Sequence, residues 1–126
     1  MTVRMLMMVG VGGAFGAMAR YSLSMLVSLW LGKGFPWGTL AVNLVGSLLM
    51  GVLAALFLQL ETPEPWRLMV FTGFLGALTT FSAFSIETLT LLQSGQFTVA
   101  LFNILLNVTL CIAAVWLGML IVRYSF

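Results

Sequence analysis

The sequence predicts an all-helical integral membrane protein with four transmembrane helices, and three observations carry that prediction. The chain is 62% hydrophobic and 6% charged, so three acidic and five basic residues cannot furnish the polar shell of a water-soluble fold. Apolar runs long enough to cross a hydrocarbon core cover nearly the whole length. Polar residues inside those runs recur every four positions, which is the spacing of one helix face.

A helix needs roughly 20 residues to cross the hydrocarbon. The first predicted span covers residues 5 to 31. Arg4 before an apolar run and the Ala17-Met18-Ala19 triplet imitate a cleavable leader, but the apolar character continues to Leu31, so a retained span is expected. Gly32-Lys33-Gly34-Phe35-Pro36 then connects to a second span over residues 38 to 60. Glu61-Thr62-Pro63-Glu64-Pro65 follows, and its prolines stop helix continuation. The third span covers residues 66 to 92, Gln93-Ser94-Gly95-Gln96 forms the next connection, and the fourth span covers residues 97 to 122. None of these loops can hold a second domain, so residues 1–126 form a single transmembrane domain and any function lies within the membrane.

The charges say little about orientation. Four spans put Arg4, Arg67 and Arg123 on one side, and Lys33 on the other with Arg20 near it. That bias is slight against the usual positive-inside asymmetry, so insertion both ways up and ordinary insertion with the termini inside are barely separated. A net charge of +2 is too small to argue for nucleic acid. Cys111 is the only cysteine and cannot form an intrachain disulfide. With no His, no nucleophile beside a base and no metal-ligand cluster, the chain is not expected to be an enzyme.

The interior chemistry is concentrated in three spans. Thr39, Asn43 and Ser47 share one face of the second, and Asn103, Asn107 and the weakly polar Cys111 repeat the device in the fourth. Such residues either hydrogen-bond helices to one another or line a wet path. Two matched stripes beside a Thr/Ser-rich third span favour the path. Amides and hydroxyls can donate to an anion, and the electropositive edge of a phenyl ring suits one as well. Phe81 and Phe84, three apart, lie on roughly one helix face with Ser82 and Ser85 adjoining.

The segment TGFLGALTTFSAFS, residues 72–85, sets two glycines, three threonines, two serines and three phenylalanines inside a predicted span, a polarity that lipid cannot satisfy. Its Gly73, Gly76 and Thr79-Thr80 pair read either as a helix break, whose carbonyls suit a small hard cation, or as a packing groove. Arg20 either snorkels to the interface or sets a positive potential at a pore entrance. Glu87 is a partner for Arg20, a proton site, or an interfacial charge. Gly12 and Gly16 form a GxxxG pattern suited to close helix contact.

Gly38-Thr39-Leu40, Asn43-Leu44-Val45-Gly46, Thr72-Gly73-Phe74-Leu75-Gly76 and Thr79-Thr80-Phe81-Ser82-Ala83-Phe84-Ser85 resemble the Fluc fluoride channels, also called CrcB-like proteins. The likeness covers essentially the whole chain. It implies a passive, fluoride-selective channel of the inner (plasma) membrane that lowers cytoplasmic fluoride and gives fluoride resistance. It further implies an antiparallel, dual-topology homodimer with two pores lined by both subunits. On this resemblance Phe81, Phe84 and Asn43 contact the ion path, and Thr39, Ser82 and Ser85 lie on its polar track. Arg20 stands near the vestibule, and the backbone carbonyls of Gly76 and Thr79 hold a structural sodium ion (Na+) at the dimer interface. Asn103 and Asn107 stand where Tyr and Ser or another polar residue are expected, Cys111 where Ser is common, Ala77 for a second glycine and Ala83 for a Thr. The competing expectation is a four-span, dual-topology exporter of cationic drugs. That chemistry needs a membrane-embedded carboxylate early in the chain, and the first span offers Arg20 and no acid.

Overall fold

A computed structural model describes residues 1–126 and contains four helical crossings and no strand. Helix α1 is Val3–Leu31, and its first turn is capped by the Thr2 hydroxyl, which accepts from the Met5 amide at 3.3 Å. Gly32 ends it at φ 82°, a conformation that costs a side-chain-bearing residue more than glycine. Helix α2 is Trp37–Gln59, and Glu61 in the following loop adopts φ 47°. The third crossing, Glu64–Gln93, is composite. It comprises α3 (Glu64–Arg67), a π-helical stretch (Leu68–Leu75), α4 (Gly76–Leu78), two extended residues, and α5 (Phe81–Gln93). Helix α6, Phe97–Ser125, completes the fold.

The helix boundaries follow the sequence expectation to within a few residues, and the break falls at Thr79-Thr80. The π-helical stretch was not foreseen. Its i→i+5 bonding leaves no mark in apolar periodicity over eight residues.

Glycines decide which helices touch. A Cβ at Gly12 would stand 3.0 Å from the Phe74 nitrogen, and one at Gly73 would stand 2.6 Å from the Val9 carbonyl oxygen. Gly16 likewise faces the Phe74 carbonyl. Helix α1 therefore lies backbone to backbone on the π-helical stretch, as the GxxxG pattern predicts. Gly51 and Gly118 form a second seam, where a Cβ at Gly118 would sit 2.8 Å from the Val52 nitrogen, and this joins α2 to α6. The first half of the third crossing leans on α1 and its second half on α6, so the break is where the chain changes neighbours.

The core is small. Val42, Leu75 and Leu78 form its centre, with Leu23, Leu49 and Phe74 packed around them. Only 20 of 126 residues are buried, while Trp30, Phe81 and Tyr124 are 87%, 79% and 82% exposed. Surface of that character needs an apolar solvent, so the chain is a multi-pass membrane protein.

Candidate functional site

The break in the third crossing organises everything polar around it. Thr79 (φ −81°, ψ 154°) and Thr80 (φ −148°, ψ 113°) are extended. In an unbroken helix the Thr80 amide would donate to the Gly76 carbonyl and the Ala83 amide to the Thr79 carbonyl. Both donors are diverted. The Thr80 amide donates to Asn43 Oδ1 at 2.7 Å, and the Ala83 amide donates to Thr80 Oγ1 at 3.1 Å, which makes Thr80 the N-cap of α5. The carbonyls of Gly76 and Thr79 thereby lose their helical partners, as do those of Ala77 and Leu78 between them. Oxygen ligands of this kind fit a hard cation.

Asn43 clasps the break from α2. Besides accepting from the Thr80 amide, its Nδ2 donates to the Thr80 carbonyl at 3.2 Å and to Asn107 Oδ1 at 3.0 Å. The series continues along α6. Asn107 Nδ2 donates to the Asn103 carbonyl at 2.9 Å and to Asn103 Oδ1 at 3.0 Å. Asn103 Nδ2 donates to Thr88 Oγ1 at 2.9 Å, and the Thr88 hydroxyl donates to the Phe84 carbonyl at 2.7 Å. Backbone groups fix the direction of every link, because an amide N–H can only donate and a carbonyl can only accept. Asn103, Asn107 and Thr88 are buried, where each unmade bond would cost about 1–3 kcal/mol.

Two cavities flank this clasp, and Thr80 lines both. The larger, about 640 Å³, opens beneath the first loop and carries Arg20, Ser24, Ser28, Lys33, Thr39 and Glu87. The Thr39 hydroxyl donates to Glu87 Oε1 at 2.7 Å, while Glu87 Oε2 is buried with no partner. Thus Glu87 shares a cavity with Arg20 but is held by Thr39. The smaller cavity, about 280 Å³, is bounded by Asn43, Ser47, Thr79, Phe81 and Cys111 among others. Asn43 and Thr80 stand where a passage between the two would run.

The expected residues divide accordingly. Thr39, Asn43, Asn103, Asn107 and Arg20 converge on the break or its cavities. Phe81 and Phe84 are in contact, with ring centroids 5.3 Å apart at 49°, but Phe84 is buried and Phe81 is exposed along the smaller cavity. Ser82 is exposed, with its hydroxyl 3.3 Å from that of Thr80. Ser85 is exposed and donates to the Phe81 carbonyl of its own helix at 2.8 Å, so it is not brought to the asparagine series. Thr88, Ser24 and Ser28 were missed. Their signal was present: Thr80, Phe84 and Thr88 are four apart, as are Arg20, Ser24 and Ser28.

The chain is similar to known proteins over most of its length. Residues 7–119 match the family described as CrcB-like protein, Camphor Resistance (CrcB). A protein of Magnetococcus marinus named fluoride-specific ion channel FluC is 55% identical over 116 residues, covering 91% of this chain and 94% of that relative. Relatives of the same name from Vibrio campbellii and Coxiella burnetii are 52% and 49% identical, covering 87% and 93% of this chain and 87% and 96% of their own lengths.

Proposed function

The chain belongs to the CrcB-like family, and from that membership we infer that it is a fluoride-selective channel that lets the ion leave the cell passively. The observation that carries the reading is the clasped break: neutral donors and a phenyl pair gathered between two cavities inside an apolar slab. Fluoride is small and holds water tightly, so a path must offer close donors in place of the hydration shell. Asn43 and Ser82 are the donors nearest the break, Thr39, Ser85, Asn103 and Asn107 are polar groups whose hydrogens are engaged within the chain, and Phe81 and Phe84 present ring edges. Arg20 and Lys33 give the larger cavity a positive bias that draws anions to its mouth.

Hydrogen fluoride crosses membranes as a neutral acid and ionises in a less acidic cytoplasm. A negative-inside potential then drives the trapped anion outward by about 2.3 kcal/mol per 100 mV, so an open leak lowers the load without other energy input. A proton-coupled cation exporter would need a carboxylate in the first crossing, and α1 has none.

The working unit in this reading is an antiparallel homodimer. Phe81 is 79% exposed on one chain although it borders the smaller cavity beside Asn43, which suits a site completed by a second copy. Gly76 is also exposed, and a Cβ there would meet only the Phe71 carbonyl at 3.4 Å, so packing within one chain does not demand glycine. Close approach of a second copy would. The diverted carbonyls of Gly76 and Thr79 would then hold a structural sodium between the copies, its charge tying the two broken helices together.

Reconstituted vesicles test the reading. Loaded with fluoride and chloride, they should release fluoride rapidly and retain chloride. An impermeant thiol reagent should label a loop cysteine (Gly95→Cys in a Cys111→Ser background) from both faces of the same vesicles. Fluoride retention equal to that of protein-free vesicles would end the channel reading, and labelling from one face alone would end the antiparallel one.

A further inference from the structure

Asn43 is committed on every side. Its oxygen holds the Thr80 amide, one Nδ2 hydrogen goes to the Thr80 carbonyl, and the other goes to Asn107 Oδ1. An anion can approach an amide only through its hydrogens. For Asn43 to serve the path, one of those two bonds must open. The pair of bonds to Thr80 closes the backbone at the break, and releasing either would orphan a main-chain group. The bond to Asn107 is the one that can be exchanged.

We propose that Asn107 competes with fluoride for one hydrogen of the Asn43 amide, and so sets how tightly the path holds the ion. This rests on the channel reading above. Asn107 is well placed to release and retake the bond. Its own Nδ2 stays tied to the Asn103 carbonyl and side-chain oxygen, so its amide keeps its orientation while Oδ1 is held by Asn43 alone. Asn103 is held in turn by Thr88, whose hydroxyl is fixed by the Phe84 carbonyl. Thr88 is thereby a positioning residue remote from the ion, setting the direction of the whole series from its far end. The exchange replaces a neutral acceptor by a charged one. A charge-assisted bond is roughly twice as strong as a neutral one, so fluoride wins the hydrogen on arrival. The returning Asn107 oxygen then restores the neutral bond as fluoride moves on. Conduction needs sites that bind well enough to admit an ion and weakly enough to let it go.

The test is fluoride flux against fluoride concentration, in vesicles, for wild type, Asn107→Leu, Asn107→Ser, Thr88→Val and Thr88→Ser. Loss of the competitor in Asn107→Leu should lower the half-saturating concentration by roughly two- to tenfold, the range supplied by one net hydrogen bond. The maximal rate should fall with it, because release slows. Asn107→Ser, too short to reach Asn43, should shift in the same direction and serves if the leucine variant does not assemble. Thr88→Val should change the half-saturating concentration and Thr88→Ser should restore it. A lower maximal rate with unchanged half-saturation in both Asn107 variants would mean a packing role and overturn the proposal. Wild type without fluoride flux would overturn the channel reading and this proposal together, so the two failures are distinguishable.

Discussion

Phe81 and Phe84 lie one turn apart on α5, yet their surroundings differ. Phe84 is 8% exposed and Phe81 is 79% exposed. Helical spacing put both on roughly one face, and their rings do meet at 5.3 Å, but spacing does not say what that face meets. Replacing either with Ile keeps apolar bulk and removes the ring edge, so each variant should slow fluoride release by about tenfold or more, equal to about 1.4 kcal/mol of lost stabilisation. Thermal unfolding should separate them. Phe84→Ile should cost about 1–2 kcal/mol of packing, whereas Phe81→Ile should cost less within one chain. Normal flux in both variants would remove the phenyl edges from the mechanism. Asn43 carries the same lesson. A polar stripe on α2 was legible from the four-residue spacing, but its partners at the break and on α6 are 37 and 64 residues away in the chain.

At the level of helices, the glycine seams do the positioning. Gly12, Gly16 and Gly73 bring α1 against the π-helical stretch, and this leaves the second half of the third crossing to follow α6. A side chain at Gly16 would enter the Phe74 carbonyl, which is backbone and cannot rotate away. Gly16→Leu should therefore exceed the usual overpacking cost of about 1–3 kcal/mol and abolish folded protein, read as loss of the monodisperse peak in detergent. Gly10→Leu is the control, since a Cβ there meets nothing within 4 Å, and it should leave the peak intact. Equal behaviour of the two variants would show that the seam does not organise the fold. GxxxG was readable in the sequence because it is a local pattern. The π-helical stretch Leu68–Leu75 was not, because an all-apolar run of this length carries no phase by which one bonding step can be told from another.

At the scale of the whole molecule, the pairing proposed above carries its own prediction. The few buried residues and the outward Phe81 suit an assembly in which a second copy covers the broken helix. Gly76→Ala separates the proposed pairing from folding. The added methyl has room within one chain, so the helices should form normally. Crowding between copies should instead lower the dimer fraction on size exclusion and remove any stabilisation by sodium over potassium. A fully dimeric Gly76→Ala protein with unaltered sodium response would place the contact elsewhere.

By itself the sequence determined the four crossings, their connections and the residue types of the polar stripes, while at Thr79-Thr80 it left a helix break and a packing groove equally open. Each of these depends on chain length, hydropathy or helical period, which neighbours along the chain are enough to define. Only the tertiary structure decided that Asn43 closes the break, that its remaining hydrogen is held by Asn107, and that Thr88 anchors the far end. A buried amide bonds to whatever the packing brings within about 3 Å, and here glycine seams between distant segments choose those neighbours.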